Sequence, residues 1–550
     1  MGSAALFLGL TLTLAWPLPL HLATALPAPG DTWGQTDLDL LVWILAWTGS
    51  HILSDPVGLF DANLFHPAPL SLAASENLIG LAPIATPVQL LGANAILTYN
   101  VTTLIIVWLN AFCAWKAACL LGVRPAAAFV AATLFAFDPE LVLGFARLHG
   151  SAVSLFPLIV VFAFRAARDG RRRDLVALAF ATALQMLAGV YLAFLVATLA
   201  AVLMPFLWQL AGRRGHGRMR VPLAFAAGAV PFAVVSIRYF EARAAGTYPD
   251  WKTSLEGAAA GSLPLDGLLE LLFSGPLLLL LPLAAVGLTR PSVPGLRAAL
   301  LALLLTGLVL GSGTTLPLLP GTDLPSPWEL LMRSIPGFET MRAPIRFRLL
   351  SQIAILLLGA LGAERLLARR MRRWIRRTLR VAAVASAVGA ILLANPSPPL
   401  ALDLKARDPI NIGAHLWLAR HAVGGAVLEL PLPLDPMDGR SMRLTGRAMR
   451  GSTEHWLPML NGYSGHPPAS HAPVMELVRA LPDPAAFAEL CGRTELRWVI
   501  VHYALLPEAE SFRQGALELG WQPANTFGRR VIYRMPASCS AEEPGSGSLS

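Results

Sequence analysis

Gly30-Asp31-Thr32-Trp33-Gly34-Gln35-Thr36-Asp37-Leu38-Asp39, continued by Leu40 to Ile52, is the stretch on which the fold turns. Asp31, Asp37 and Asp39 stand just past the end of an apolar run. A carboxylate held at a membrane surface without a partner is costly, so it usually has a task. After them Leu40, Leu41, Ile44, Leu45, Thr48 and Ile52 recur at helical spacing, together with Trp43 and Trp47. Residues 38–53 therefore read as an amphipathic helix lying on the membrane, with the indoles as its anchors. An acidic turn beside such a helix is a candidate active site at a bilayer face.

Outward from this stretch, a chain of 550 residues with 55% hydrophobic and 14% charged residues and a mean hydropathy of +0.57 cannot be an ordinary soluble protein. Runs able to cross a bilayer, or nearly so, lie at 4–26, 95–121, 126–142, 151–166, 175–190, 192–211, 221–240, 273–289, 297–311, 346–366 and 378–395, about eleven spans. The run at 4–26 lacks a basic n-region and reads as a retained span rather than a cleaved signal peptide. The short run at 126–142 and the break at Gly189-Val190-Tyr191 point to tilted or partly re-entrant helices beside a cavity.

The net charge of +9 does not mark a nucleic-acid partner. Beyond Asn395 there are 14 Lys and Arg against 15 Asp and Glu, so the excess belongs to the membrane half. It gathers at Lys116 and Arg124, Arg165 to Arg173, Arg213 to Arg220, Arg290 and Arg297, and Arg369 to Arg380. With a cytoplasmic N-terminus every cluster falls inside, as basic loops do. The outer side then receives loops 27–94, 138–150, 189–191, 241–272 and 312–345 and the whole tail, with most of the acidic residues.

The expected architecture is thus an α-helical polytopic membrane domain over 1–395 and a small outer-face α/β domain over 396–537. A disordered Ser, Gly and Glu-rich end follows at 538–550. Pro396-Ser397-Pro398-Pro399 makes a stiff exit from the membrane. Strands are predicted at Ala426–Leu430, Leu496–Val501 and Arg530–Tyr533, and helices at 472–480, 484–491 and 508–519. The four cysteines make neither a framework nor a zinc site, although Cys491 and Cys539 could pair within the tail.

For the acidic turn two readings stand side by side. Its carboxylates either cap the helix or supply a general base to an acceptor hydroxyl. Asp37-Leu38-Asp39 is also a D-x-D, a pattern that can hold a divalent cation through oxygen ligands. The loop with Asp138, Glu140, Arg147 and His149 lies on the same side. Three outer-face arginines, Arg342, Arg346 and Arg348, run against the positive-inside trend. They either reach lipid headgroups or, through Arg342 and Arg346, bind the phosphate of a lipid-linked substrate with their guanidinium forks. Ser452 to Gly465 is dense in aromatic and polar residues without a Gly-x-Ser-x-Gly elbow, so it reads as a turn or binding loop facing the membrane and not as a hydrolase triad.

These residues resemble the C-type (GT-C) glycosyltransferases, and more closely a bacterial group of membrane proteins of that superfamily. The resemblance runs over nearly the whole chain. It is carried by the acidic turn with Trp43-Ile44-Leu45-Ala46-Trp47 and His51, by Asp55-Pro56, Leu59-Phe60-Asp61-Ala62-Asn63-Leu64-Phe65-His66-Pro67, Ser75-Glu76 and Tyr99-Asn100, by Arg342-Ala343-Pro344-Ile345-Arg346-Phe347, and by His455-Trp456 with Asn461-Gly462-Tyr463-Ser464-Gly465. It implies a bacterial inner-membrane enzyme that moves a sugar from a polyprenyl-phosphate donor to a glycan, lipid or protein acceptor on the outer face. Asp37 matches the group's acidic residue before Trp43 and is the expected catalytic base, with Asp31 as the alternative. Asp39, His51, Glu76, Arg342, Arg346 and His149 complete the expected site. The group tends to carry His-Leu-Gln where this chain reads Arg147-Leu148-His149. The other class of function is a non-catalytic or transport protein that binds or moves a lipid-linked glycan on the same scaffold.

Overall fold

The computed structural model describes the chain apart from residues 1, 143–144, 216, 249, 274, 290–294, 317–324, 369–372, 396–399, 408, 433–438 and 540–550. The Pro396 to Pro399 exit, Arg290, the start of the Arg369 cluster and nearly all of the 538–550 end lie outside the described residues.

Among the described residues, six helices are long and apolar enough to cross a membrane: Ala95–Leu120, Leu148–Asp169, Val190–Arg213, Arg220–Ala244, Pro344–Leu366 and Arg377–Ala394. Other expected spans are shorter. The first is α1 (Gly2–Leu14), which gives way to turns at Pro17 and Pro19, where a helix loses its donors. The 126–142 run becomes the helix Pro125–Ala136, which ends just before Asp138-Pro139. The runs at 273–289 and 297–311 become Pro276–Leu288 and Leu296–Gly311. In place of 175–190 stands the helix Arg172–Leu187, with Arg172, Arg173 and Asp174 in its first turn.

The surface-helix expectation is corrected. α2 (Thr32–His51) starts six residues earlier than read, and Leu38, Val42, Ile44 and Leu45 have no exposed surface. The sequence from Leu38 to Trp47 is apolar on every side except at Asp39, so such a helix needs protein all round it, not a lipid face alone. α2 is packed between the membrane helix Ala95–Leu120, the short helix Ala82–Leu90 and the tail helix Gly439–Ser452. Its buried indoles are satisfied: Trp43 donates to Asn63 Oδ1 at 3.0 Å and Trp47 to the Leu59 carbonyl at 2.9 Å.

The tail forms a four-stranded sheet. β1 (Leu26–Pro27) pairs with β2 (Leu402–Asp403), joining the start of the first loop to the tail. β3 (Ala426–Leu430), β4 (Leu496–His502), β5 (Gln522–Phe527) and β6 (Arg530–Arg534) then align in the order β3-β4-β6-β5, with only the β3 and β4 pair parallel. Three of these strands fall where the β-rich runs predicted them. β5 was missed because Gln522-Pro523-Ala524-Asn525 carries no β signal; it is an edge strand, mostly exposed. Cys491 and Cys539 form a disulfide within this unit.

Candidate active site

Every loop assigned to one side of the membrane, and the tail, meet at a cavity of about 160 Å³. The first loop supplies Asp37 and Glu76, the second His149, the third Val190 and Tyr191, the fourth Tyr248 and the fifth Thr340 and Arg342, next to Arg346. The tail supplies Tyr463 and His466.

Asp37 stands in the second turn of α2. The N-cap is Asp31, which accepts from the Gly34 N–H and leaves the chain entering α2 in extended conformation. The Asp37 carboxylate is half-buried and accepts a hydrogen bond of 2.8 Å from the Tyr463 hydroxyl. Burial raises its pKa above the ordinary carboxylate range, against the opposing pull of Tyr463, Arg147, Arg346 and Arg342. A carboxylate in that state is a stronger base than one in water.

Glu76 accepts from the Val190 N–H at the N-terminus of the Val190–Arg213 helix, where the dipole favours an anion. Gly189 makes the approach feasible, since a Cβ there would lie 2.9 Å from Glu76 Oε2. Burial raises the Glu76 pKa, while the Val190 N–H and Arg346 work against the rise.

The arginines sit on a loop anchored by aromatic packing, with Phe338 and Phe347 meeting Trp328 edge-on at 4.9 and 5.5 Å. Arg346 lies over the Tyr191 ring at 4.0 Å and donates to His149 Nε2 at 2.8 Å. That bond leaves the His149 proton on Nδ1. Arg346 Nη1 and His149 Nδ1 are both buried and make no hydrogen bond. The Arg342 N–H donates to the Tyr191 hydroxyl at 2.7 Å, and its side chain is exposed at the mouth. Burial, with help from Arg342, lowers His466 to about 4, so it is neutral at physiological pH.

Of the residues expected from sequence, Asp37, Glu76, His149, Arg342 and Arg346 come together here. Asp31, Asp39 and His51 do not. Asp31 caps α2 and lies 3.9 Å from Arg147, outside the cavity lining. Asp39 is buried against Arg450 of the tail helix. Two residues apart on a helix are turned by roughly 200°, so the D-x-D sends its carboxylates to opposite sides and does not chelate. No group of three or more His, Cys, Asp or Glu suited to a metal occurs among the described residues. His51 stacks on Trp47 at 3.6 Å and meets Trp456 at 5.2 Å, a packing role at the far end of α2.

No tyrosine is among the expected site residues, although Tyr191 and Tyr463 fall in stretches singled out from the sequence. The chain has 7 tyrosines, and Tyr191, Tyr239, Tyr248 and Tyr463 all line this cavity. Scarce phenols in so apolar a chain were a signal available from composition. An apolar groove lined by Phe194, Phe232 and Phe240 adjoins the cavity and shares Val190, Tyr239, Tyr248 and Thr340 with it.

No protein-family model matches the sequence, and no curated protein does either. Solved structures do match in shape. The chain is similar over 97% of its length to arabinofuranosyltransferase AftD from Mycobacteria, at 16% identity and a TM-score of 0.56, and spans 39% of that protein. It is similar over 98% of its length to 99% of ArnT from Cupriavidus metallidurans, solved bound to undecaprenyl phosphate, at 12% identity and a TM-score of 0.51. At these identities the likeness establishes the fold.

Proposed function

Taking the GT-C fold as the premise, we propose that the chain is a membrane glycosyltransferase that moves a sugar from a polyprenyl-phosphate donor to an acceptor hydroxyl at the outer face of a bacterial inner membrane. The observation that carries this is one cavity holding a desolvated carboxylate, Asp37, and the guanidinium groups of Arg342 and Arg346, beside an apolar groove between two membrane helices. The donor phosphate takes the unused donors of Arg346 and His149, and its chain lies in the groove between the Val190–Arg213 and Arg220–Ala244 helices. Asp37 removes the proton of the acceptor hydroxyl, whose oxygen bonds to the anomeric carbon. The bond from that carbon to the phosphate oxygen breaks, and polyprenyl phosphate leaves with its charge held by the arginines.

Orientation is supported by chain order. The basic residues cluster at the helix ends opposite to those that feed the cavity: Arg172 opens the helix whose other end precedes Val190, and Arg213 closes the next. The Cys491 to Cys539 disulfide suits an oxidising compartment for the tail.

Binding of polyprenyl phosphate to the parent and to Arg346→Ala tests the phosphate site. Loss of a charge-assisted contact of about 1.5–3 kcal/mol should weaken binding roughly 10- to 100-fold, with the fold intact. Arg346→Lys should rescue in part, as a point charge without the fork. Equal binding by Arg346→Ala would make these residues headgroup anchors.

A further inference from the structure

Glu429 lies in β3, a strand buried along its whole length, where an unpartnered carboxylate would be very costly. Its partners are histidines. His502 Nε2 of β4 bonds Glu429 Oε1, and His415 Nε2, on the helix Pro409–His421, lies 3.2 Å from Oε2. The far nitrogens are also committed. His502 Nδ1 accepts from Arg530 Nε at 2.8 Å, and His415 Nδ1 lies 3.2 Å from His455 Nε2. His455 Nδ1 in turn accepts the Leu457 N–H at 3.0 Å.

The hydrogen bonds fix where two of these imidazoles carry a proton. Two N–H donors, Arg530 and Leu457, fix the ends, so His502 and His455 accept on Nδ1 and present Nε2–H, His502 to Glu429 and His455 to His415. An extra proton on His455 sets its Nδ1–H against the Leu457 N–H, donor to donor. The titratable groups facing Glu429 are His415 and His502, and those facing His455 are His415 and Glu429; neighbouring Glu454 is engaged by Arg407 at 3.3 Å.

The backbone of β3 and the His455 ring hold a loop between them. The Glu429 N–H donates to Asn461 Oδ1 and Asn461 Nδ2 donates to the Glu429 carbonyl, both at 2.8 Å, while the Leu460 N–H donates to the Val427 carbonyl at 2.9 Å. Trp456, next to His455, meets Trp47 of α2 edge-on at 5.5 Å. Tyr463, two residues past Asn461, reaches Asp37. We propose that Glu429, His415, His455 and His502 form an acid-labile anchor that docks the Tyr463 loop on α2, so that docking weakens as pH falls.

Burial and His415 push the His455 pKa well below its ordinary value, which fixes the sign. Below about pH 6.5 the released loop takes up a proton that the docked loop refuses, so acid favours release. Each proton so linked shifts the balance about tenfold per pH unit. The docking claim stands without the transferase reading; only its catalytic consequence rests on it.

Amide hydrogen exchange of the full chain in lipid nanodiscs, corrected for intrinsic rates, tests it on peptides covering residues 455–466. Protection should fall about tenfold between pH 7.5 and 5.5, with α2 peptides unchanged. Glu429→Gln should already be deprotected at pH 7.5, because a Gln amide meets one histidine N–H donor to donor. Equal corrected protection of the parent at both pH values overturns the proposal, whether or not the Gln variant folds. A chain that transfers no sugar but shows the acid response would sink the transferase reading alone.

Discussion

Asp37 is deprotonated late because it is desolvated, and the Tyr463 hydrogen bond works against that delay. As a base it acts only when ionised, so the transfer rate should fall as pH drops through its raised pKa. Tyr463→Phe removes a bond that favours the ionised form, and the acid limb of the rate profile should move to higher pH. An unmoved limb would mean that Tyr463 does not act on the base. A stability measurement carries the opposite sign. Because folding raises this pKa, the ionised side chain costs stability that is absent at low pH and grows as pH rises from the unfolded value through the folded one. Asp37→Asn should therefore melt at the same temperature as the parent or higher at pH 7.5, while losing activity. The acidic turn was legible because carboxylates next to an apolar helix are unusual, and Asp37 was singled out within it only by the resemblance to the GT-C enzymes. Its contact with Tyr463 was not legible, since the two are 426 residues apart in sequence and no local pattern links them.

At the scale of the element, α2 joins the halves of the chain. Its helical period was legible in the sequence, but its surroundings were not, because an apolar face looks the same whether lipid or protein covers it. The polar residue on that face was the available clue. Asp39 is 1% exposed and its partner Arg450 is 7% exposed, so the pair is desolvated and fixes the register of the tail helix against α2. Gly446 completes the fit, as a Cβ there would lie 3.1 Å from the Asp39 Cβ. Removing one partner strands the other charge. Asp39→Ala should lower stability by about 3–5 kcal/mol, read as a drop in melting temperature, in contrast to Asp37→Asn. A melting temperature matching the parent's would show that the pair does not hold the two elements together.

At the scale of the molecule, the basic clusters predict which helix ends lie on one side, and in the structure the opposite ends converge on the cavity. The convergence could not be read from sequence: it arises from the packing of helices whose apolar faces are interchangeable at the level of pattern. Span number was blurred for a related reason, since runs cut by Pro17 or by Asp138-Pro139 have the composition of a span but fold as shorter helices. Sidedness is open to direct test. A reporter that fluoresces only in cytoplasm, fused after Ser550, should stay dark, and bright cells would reverse the orientation.

The central claim is that Asp37 is the base of a sugar transfer, and transfer of labelled sugar from polyprenyl-phosphate donors in membranes carrying parent, Asp37→Asn, Asp31→Asn or Asp39→Asn protein tests it most directly. The account predicts transfer by the parent, a loss of about 10²–10⁴ in rate confined to Asp37→Asn with the protein still folded, and at most a secondary effect of Asp31→Asn through the cap. Undiminished transfer by Asp37→Asn, or none by the parent across several donor sugars, would contradict it.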